Sequence, residues 1–215
     1  MAAQKNNEIY IQKLKQRIVV LEGQLRTDEL TRVLNRRGLM EYLDTIVNEV
    51  RFQLKHPERR RFLLIKSFSL VFVDLDYFKK INDTYGHQMG DQVLRQVTAL
   101  IQDELRGVDI VGRYGGEEII IGLVGADEQA ASQIADSIRQ KISKLEFRHE
   151  DEVFQVTASF GVASLSNDTS LKEVIARADQ AVYRAKNLGR NRVVSYGDGM
   201  DKDRLKIDKK DGESI

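Results

Sequence analysis

The chain has 215 residues, of which 34 are basic and 33 acidic, for a net charge of +1. That length supports one sizeable core plus an extension, and the near balance of charge argues against a general nucleic-acid-binding surface. Cysteine is absent, which excludes disulfides and thiolate metal sites; no run of about 18 apolar residues is present to span a bilayer, and no secretory leader is visible.

Residues 1–7 are polar. From Ile11 a heptad appears, because Ile11, Leu14, Ile18, Leu21 and Leu25 alternate spacings of three and four, as the seam of a coiled coil does. One reading is a helix packed on its own domain. The other is a short parallel coiled-coil dimer over residues 1–26, favoured by Lys13, Lys15, Arg17 and Glu22 around a narrow stripe. So few heptads are marginal alone, so pairing through them is weak. Asp28 to Asn35 reads as a turn and cap region, followed by a helix from about Arg37 to Leu54. The stretch His56 to Arg61 contains Pro57, the only proline, and breaks that helix in a solvated basic connection.

The apolar run Leu70 to Val73 reads as a strand buried on both faces, within a strand Ser69–Leu75. It ends in Asp74-Leu75-Asp76, which puts two acids on one side where the strand leaves the core. Like charges there repel and lose hydration unless a cation or water compensates. A solvated strand end or a helix cap is the plainer explanation; Mg²⁺ held by a few carboxylates plus substrate phosphates fits the same residues. A helix is expected from about Gly90 to Leu105, where Val93, Leu94, Val97, Leu100 and Ile101 recur at helical spacing.

A hairpin over about Asp109–Val124 comes next. Its tip, Arg113-Tyr114-Gly115-Gly116-Glu117-Glu118, reads as a two-residue Gly-Gly turn with positive φ, followed at once by two carboxylates on the outgoing strand. Alternation along a strand lets only one of the two face a given site. Without a Cβ, the glycines leave room for something bulky on the turn, and carboxylates beside it suit a hard cation carrying phosphates. Taken alone, the tetrapeptide reads first as a plain hairpin with solvated acids. A helix over Glu128–Ser143, a strand over Phe154–Ala163, a helix over Leu171–Asn187 and a last strand over Arg192–Ser195 follow. Residues 197–215 hold many Asp and Lys and few large apolar groups, and read as a disordered tail. Strands alternating with helices around a central hairpin predict an α/β (α+β) domain, a mixed central sheet flanked by helices.

Several motifs carry a resemblance by falling in one order: Thr27-Asp28-Glu29-Leu30-Thr31 with Leu34-Asn35-Arg36-Arg37, then Tyr85-Gly86-His87, Gly90-Asp91, the Gly115-Gly116-Glu117-Glu118-Ile119 hairpin, Ser159-Phe160-Gly161-Val162-Ala163, Ala178-Asp179, and Tyr183 to Asn191. From about Asp28 to Ser195 the chain closely resembles the GGDEF family of diguanylate cyclases, with Ile119 where that family often has Phe. The resemblance implies a palm-like, ferredoxin-related nucleotide-cyclase fold over residues 27–196. It implies condensation of two GTP into cyclic di-GMP with loss of two pyrophosphates, at a twofold interface of a homodimer in which each domain holds one GTP. It also implies an upstream sensory domain in the native chain, while the charge balance and the lack of an apolar span predict neither nucleic-acid nor membrane contact from this segment, and the absence of cysteine is compatible with a cytoplasmic location. A catalytically weak cyclic di-GMP receptor is the alternative within the same family.

Residue by residue, the resemblance makes Asp74, Glu117 and the Leu75 carbonyl the ligands of two Mg²⁺ (or Mn²⁺) ions per active site, with Glu118 as a further catalytic acid. Asp76 is left to structure. Lys79, Lys186, Arg190 and the backbone near Phe78 would meet phosphate. Lys186 and Arg190 share a helix face if the helix reaches Arg190, although Gly189 disturbs it, and both also suit a helix C-terminus. Asn82 and Asp91 would read guanine; by themselves they look like an Asx turn and an N-cap. Arg106-Gly107-Val108-Asp109 matches the family's inhibitory product site, and otherwise reads as a surface turn. His87 receives no catalytic role, and the general base is not assigned.

Overall fold

β1 (Phe68–Leu75) forms the centre of the fold, and all eight of its residues are buried. In the computed structural model, which describes residues 11–13, 23, 26–56, 65, 67–166 and 169–197, it sits third in a five-stranded sheet of order β2-β3-β1-β6-β7. β1 runs antiparallel to β3 (Glu118–Val124) and β6 (Ala158–Ser164). β2 (Ile110–Arg113) is antiparallel to β3, and β7 (Val193–Ser195) is parallel to β6. The heptad beyond Ile11–Lys13, the basic connection and the tail from Asp198 lie outside the described residues.

Helices cover both faces, which is why β1 reads as a continuous apolar run. Val71, Val73 and Leu75 join the core of α2 (Phe78–Tyr85), α3 (His87–Asp103) and α4 (Glu128–Ile142). Phe68, Leu70 and Phe72 join that of α1 (Arg36–Lys55) and α5 (Leu171–Asn187). Local signals set the helix starts. Asn35 caps α1 by accepting from Gly38 N, and Ser170 with Glu173 forms a reciprocal capping box on α5.

Three expectations need correction. α3 starts at His87, so Asp91 lies inside the helix and is not its cap. Asn82 lies within α2, a short helix that periodicity did not reveal, and so makes no Asx turn. The strand expected over Phe154–Ala163 is two strands: β5 (Glu152–Gln155) pairs with β4 (Glu146–His149) through Phe147 opposite Phe154, and β6 starts afresh at Ala158 beside β1. The alternation is continuous in sequence, but the pairing partner changes where Thr157 O accepts from Asp76 N (2.8 Å).

α5 approaches the sheet over Gly161. A Cβ there would lie 2.0 Å from Ala178 O and 2.5 Å from Val182 N. Both are backbone atoms, so relief requires lifting the helix. Gly161→Ala is expected to cost about 1–3 kcal/mol and to lower the melting temperature by about 5 °C. A calorimetric scan that matches wild type would show that α5 tolerates the displacement.

Candidate active site

Asp74 continues the face of β1 that carries Leu70 and Phe72, so its carboxylate points toward α5. Only 8% exposed, it lies opposite Glu118 on β3 and Ser159 on β6. Lys186 Nζ, from the last turn of α5, sits 2.7 Å from Asp74 Oδ1 in an ion pair. Asp76, two residues on, has a different fate. Thr157 Oγ1 donates to its Oδ2 (2.7 Å), Ser159 Oγ to its Oδ1 (2.7 Å) and Asn191 N to its Oδ2 (3.0 Å). The two acids of Asp-x-Asp thus divide: one faces a lysine at the site, and the other is fully bonded and joins β1, β6 and the α5–β7 connection.

The turn differs from the expected two-residue Gly-Gly hairpin. β2 stops at Arg113 and β3 starts at Glu118, leaving Tyr114 to Glu117 between them. Neither Gly115 nor Gly116 is left-handed. Glu117 therefore belongs to the turn and not to the strand, and strand alternation does not separate it from Glu118. Both carboxylates feel Asp74. Burial comes first in pushing the Glu117 carboxyl above its ordinary range, then the charge of Asp74, with Lys186 opposing. Burial again leads for Glu118, followed by Asp74, Asp179 and Glu117. Asp74 is itself raised, by burial first and by Asp76 and Asp179, against the pull of Lys186. A Cβ at Gly115 would lie 2.0 Å from Glu118 Oε2, so a side chain there would displace that carboxylate and not the backbone. Gly116 faces open space, with nothing within 4 Å of such a Cβ.

Asn82 on α2 and Asp91 on α3 come to one corner where the two helices meet. The Asn82 amide lies against Gly90, where a Cβ would be 1.9 Å from Asn82 Oδ1. Phe78 and Leu75 are buried, so only their backbones are offered to a ligand, whereas Lys79 is exposed on the first turn of α2. Arg190 does not share a helix face with Lys186. α5 ends at Asn187, and Gly189 (φ 111°), Arg190 (φ 62°) and Asn191 (φ 43°) turn the chain away. The Arg190 guanidinium lies over the Tyr77 ring, 4.5 Å from its centroid.

Arg106 and Asp109 stand at the opposite end of the β2–β3 hairpin from the glycine turn. Asp109 Oδ2 accepts from Arg106 N and Nε (3.0 Å each), and its Oδ1 accepts from Arg106 Nη2 (3.0 Å) and Val124 N (3.1 Å). The Asp109 side chain is nearly inaccessible, whereas that of Arg106 is 59% exposed.

A family model described as diguanylate cyclase, GGDEF domain, matches residues 25–192. The chain belongs to the GGDEF family. Diguanylate cyclase A of Treponema denticola is 34% identical over 177 residues, covering 82% of this chain and 47% of that protein. Response regulator PleD of Caulobacter vibrioides is 37% identical over 171 residues, covering 78% of this chain and 35% of that protein. The chain thus spans less than half the length of these curated relatives. Among solved structures, the coiled coil and GGDEF domain of DgcB from Caulobacter crescentus, in complex with c-di-GMP, superposes with a TM-score of 0.80 at 27% identity, covering 90% of this chain and 97% of that one.

In this GGDEF domain, three carboxyls with raised pKa values share one lysine, so negative charge is under-compensated. No three His, Asp or Glu side chains among the described residues converge into a ready-made cage. The donor set therefore fits a divalent cation that takes its remaining oxygens from backbone and from a bound phosphate. Asp179 had no role in the sequence reading. It lies seven residues before Lys186 on α5, hence on the same face, and that spacing was a usable signal. Arg113 and Asp28 were also missed as a pair, because 85 residues separate them.

Proposed function

We propose that this GGDEF domain condenses two GTP into cyclic di-GMP, each copy presenting one nucleotide and two copies meeting about a twofold axis. The observation that carries this reading is the gathering of Asp74, Glu117 and Glu118 around Lys186, beside a glycine turn left open at Gly116. Asp74, Glu117 and the Leu75 carbonyl would hold two divalent ions, Mg²⁺ or Mn²⁺, with Glu118 as a further acid. Such ions supply charge neutralisation at the attacking and leaving oxygens of phosphoryl transfer.

The protein's own groups position the nucleotide. Lys79 and Lys186 meet phosphate oxygens, together with the free amides that open α2 at Phe78. Arg190 reaches phosphate by leaving the Tyr77 ring. Asp91 accepts from guanine N1–H and N2–H₂, and the Asn82 amide donates to O6. Incubation of the chain with GTP and Mg²⁺, followed by mass spectrometry, tests the reading. Recovery of unreacted GTP alone, at high protein concentration, would overturn it.

The pairing of Arg106 with Asp109 favours a regulatory product site in addition. Its exposed guanidinium suits phosphate and stacking on guanine, and the DgcB GGDEF structures were solved with c-di-GMP. Arg106→Ala is expected to relieve inhibition by added cyclic di-GMP with little loss of initial rate, because the Val124 N bond keeps Asp109 in place. Identical inhibition curves for wild type and variant, both competitive with GTP, would put product at the active site instead.

A further inference from the structure

We infer that the Asp28–Arg113 ion pair is a positioning device for the glycine turn: it sets where Glu117 stands and ties that setting to the segment by which the chain enters the domain. The inference rests on the reading of Glu117 as a metal ligand given above.

Arg113 spends its whole guanidinium on this task. Nε donates to Gly115 O (3.2 Å) and Gly116 O (3.1 Å), and Nη2 donates to Gly116 O (2.8 Å). Nη1 donates to both carboxylate oxygens of Asp28 (3.3 Å each). The pair is mostly buried, with 18% of the Arg113 side chain and 21% of the Asp28 side chain exposed. Every peptide in the described chain is trans, so a carbonyl turned toward Arg113 turns the following N–H the other way. One guanidinium thereby sets the two peptide planes that lead into Glu117. Gly116 has no side chain, and the backbone bonds across the turn, Tyr114 N and Gly115 N to Glu118 O (2.8 and 3.3 Å), close its base without holding either of these two planes.

Asp28 is held as firmly from its own side. Burial pushes its carboxyl up, but the hydroxyl and amide of Thr31 and the charge of Arg113 outweigh this and bring it below the ordinary range. Thr31 N and Oγ1 donate to Asp28 Oδ1 at 2.9 and 2.7 Å. The same segment joins the edge of β2, where Arg113 N donates to Leu34 O (2.7 Å). It is anchored behind by Asn35 N to Arg26 O (2.8 Å) and by the Arg26–Glu41 ion pair (2.9 Å). A shift at residues 26–28 therefore pulls on the guanidinium that orients the turn. The β2–β3 ladder and its buried residues do not depend on the Arg113 side chain, so its loss should cost precision before it costs the fold.

Arg113→Lys and Asp28→Asn in the full chain test this. Lysine keeps the charge but lacks the planar fork, and asparagine keeps an acceptor for Thr31 but drops the charge. The readouts are kcat, KM for GTP, melting temperature, and Mn²⁺ affinity from the free-ion electron paramagnetic resonance signal, which needs no turnover. Arg113→Lys is expected to lower kcat by about tenfold to a hundredfold, as misplacement of about 1 Å does. It should weaken Mn²⁺ binding several-fold, with KM and melting temperature close to wild type. Asp28→Asn should move the same quantities less, and the double variant should be no worse than Arg113→Lys alone, because both act through one guanidinium. Unchanged Mn²⁺ affinity, or additive losses in the double variant, would overturn the inference. If Arg113→Lys fails to fold, Asp28→Asn decides alone by the same Mn²⁺ criterion. A wild type that converts no GTP but loses Mn²⁺ affinity on Arg113→Lys would keep the clamp and remove the cyclase reading. An active wild type indistinguishable from Arg113→Lys would remove only the clamp.

Discussion

Glu117→Gln or Asp74→Asn should lower cyclic di-GMP formation by about a hundredfold to a thousandfold while leaving the fold intact, the size typical of losing one preorganised transition-state contact. Each substitution keeps the side chain's volume and removes a charged oxygen. It also relieves repulsion: folding gathers three acids whose pKa values are raised, so their ionised forms oppose folding. The sign follows from linkage. The penalty is in force above the folded pKa values and fades as pH falls through them, so neutralising one acid at neutral pH should not destabilise the protein through that route. A bound cation should relieve this penalty, because it favours the ionised carboxylates, and acidification should weaken its binding by protonating them. Mg²⁺ or Mn²⁺ should raise the melting temperature of wild type more than that of Glu117→Gln. Near-normal turnover in either purified variant would take that residue out of the metal site.

Asp76→Ala should do the reverse and act first on stability. Asp76 is 3% exposed, and its removal strands the Ser159 and Thr157 hydroxyls and the Asn191 amide together. Ser159 is wholly buried, so water cannot replace its partner without opening the sheet. Lost partners cost about 1–3 kcal/mol each when buried, so we expect about 3–5 kcal/mol in total. That corresponds to a fall in melting temperature of about 10 °C or more for a domain of this size. Asp76→Asn should be intermediate, since one acceptor oxygen remains. Thermal scans of the three proteins give the order directly. A melting temperature for Asp76→Ala equal to wild type, together with lost turnover, would show that Asp76 holds a ligand and not the structure.

β1 and α5 were legible in the sequence because their signals are local. Leu70 to Val73 is an unbroken apolar run that only a doubly covered strand accommodates, and α5 matches its predicted span, Leu171–Asn187, with a Ser170–Glu173 capping box at its start. The acids at a strand end beside a glycine turn stood out in sequence too, although by themselves they also fit a solvated hairpin and a solvated strand end. α2 was not legible, because eight residues give too short a window for a 3.6-residue period. β4 and β5 were hidden inside an alternation that runs on into β6.

Sequence by itself determined the family, the central strand and most of the long helices. The tertiary structure alone decided what surrounds each acid. Asp74 and Asp76 are equivalent in spacing and differ only in what faces them: Lys186 across from one, and Thr157, Ser159 and Asn191 around the other. It also took Glu117 off the strand and into a turn whose carbonyls bond Arg113, itself paired with Asp28, and it carried Arg190 off α5 and onto Tyr77. The physical reason is the same in each case. Strand runs and helix periods arise between neighbours in sequence, whereas register and the partners of a side chain arise between residues roughly a hundred positions apart, which only packing brings together.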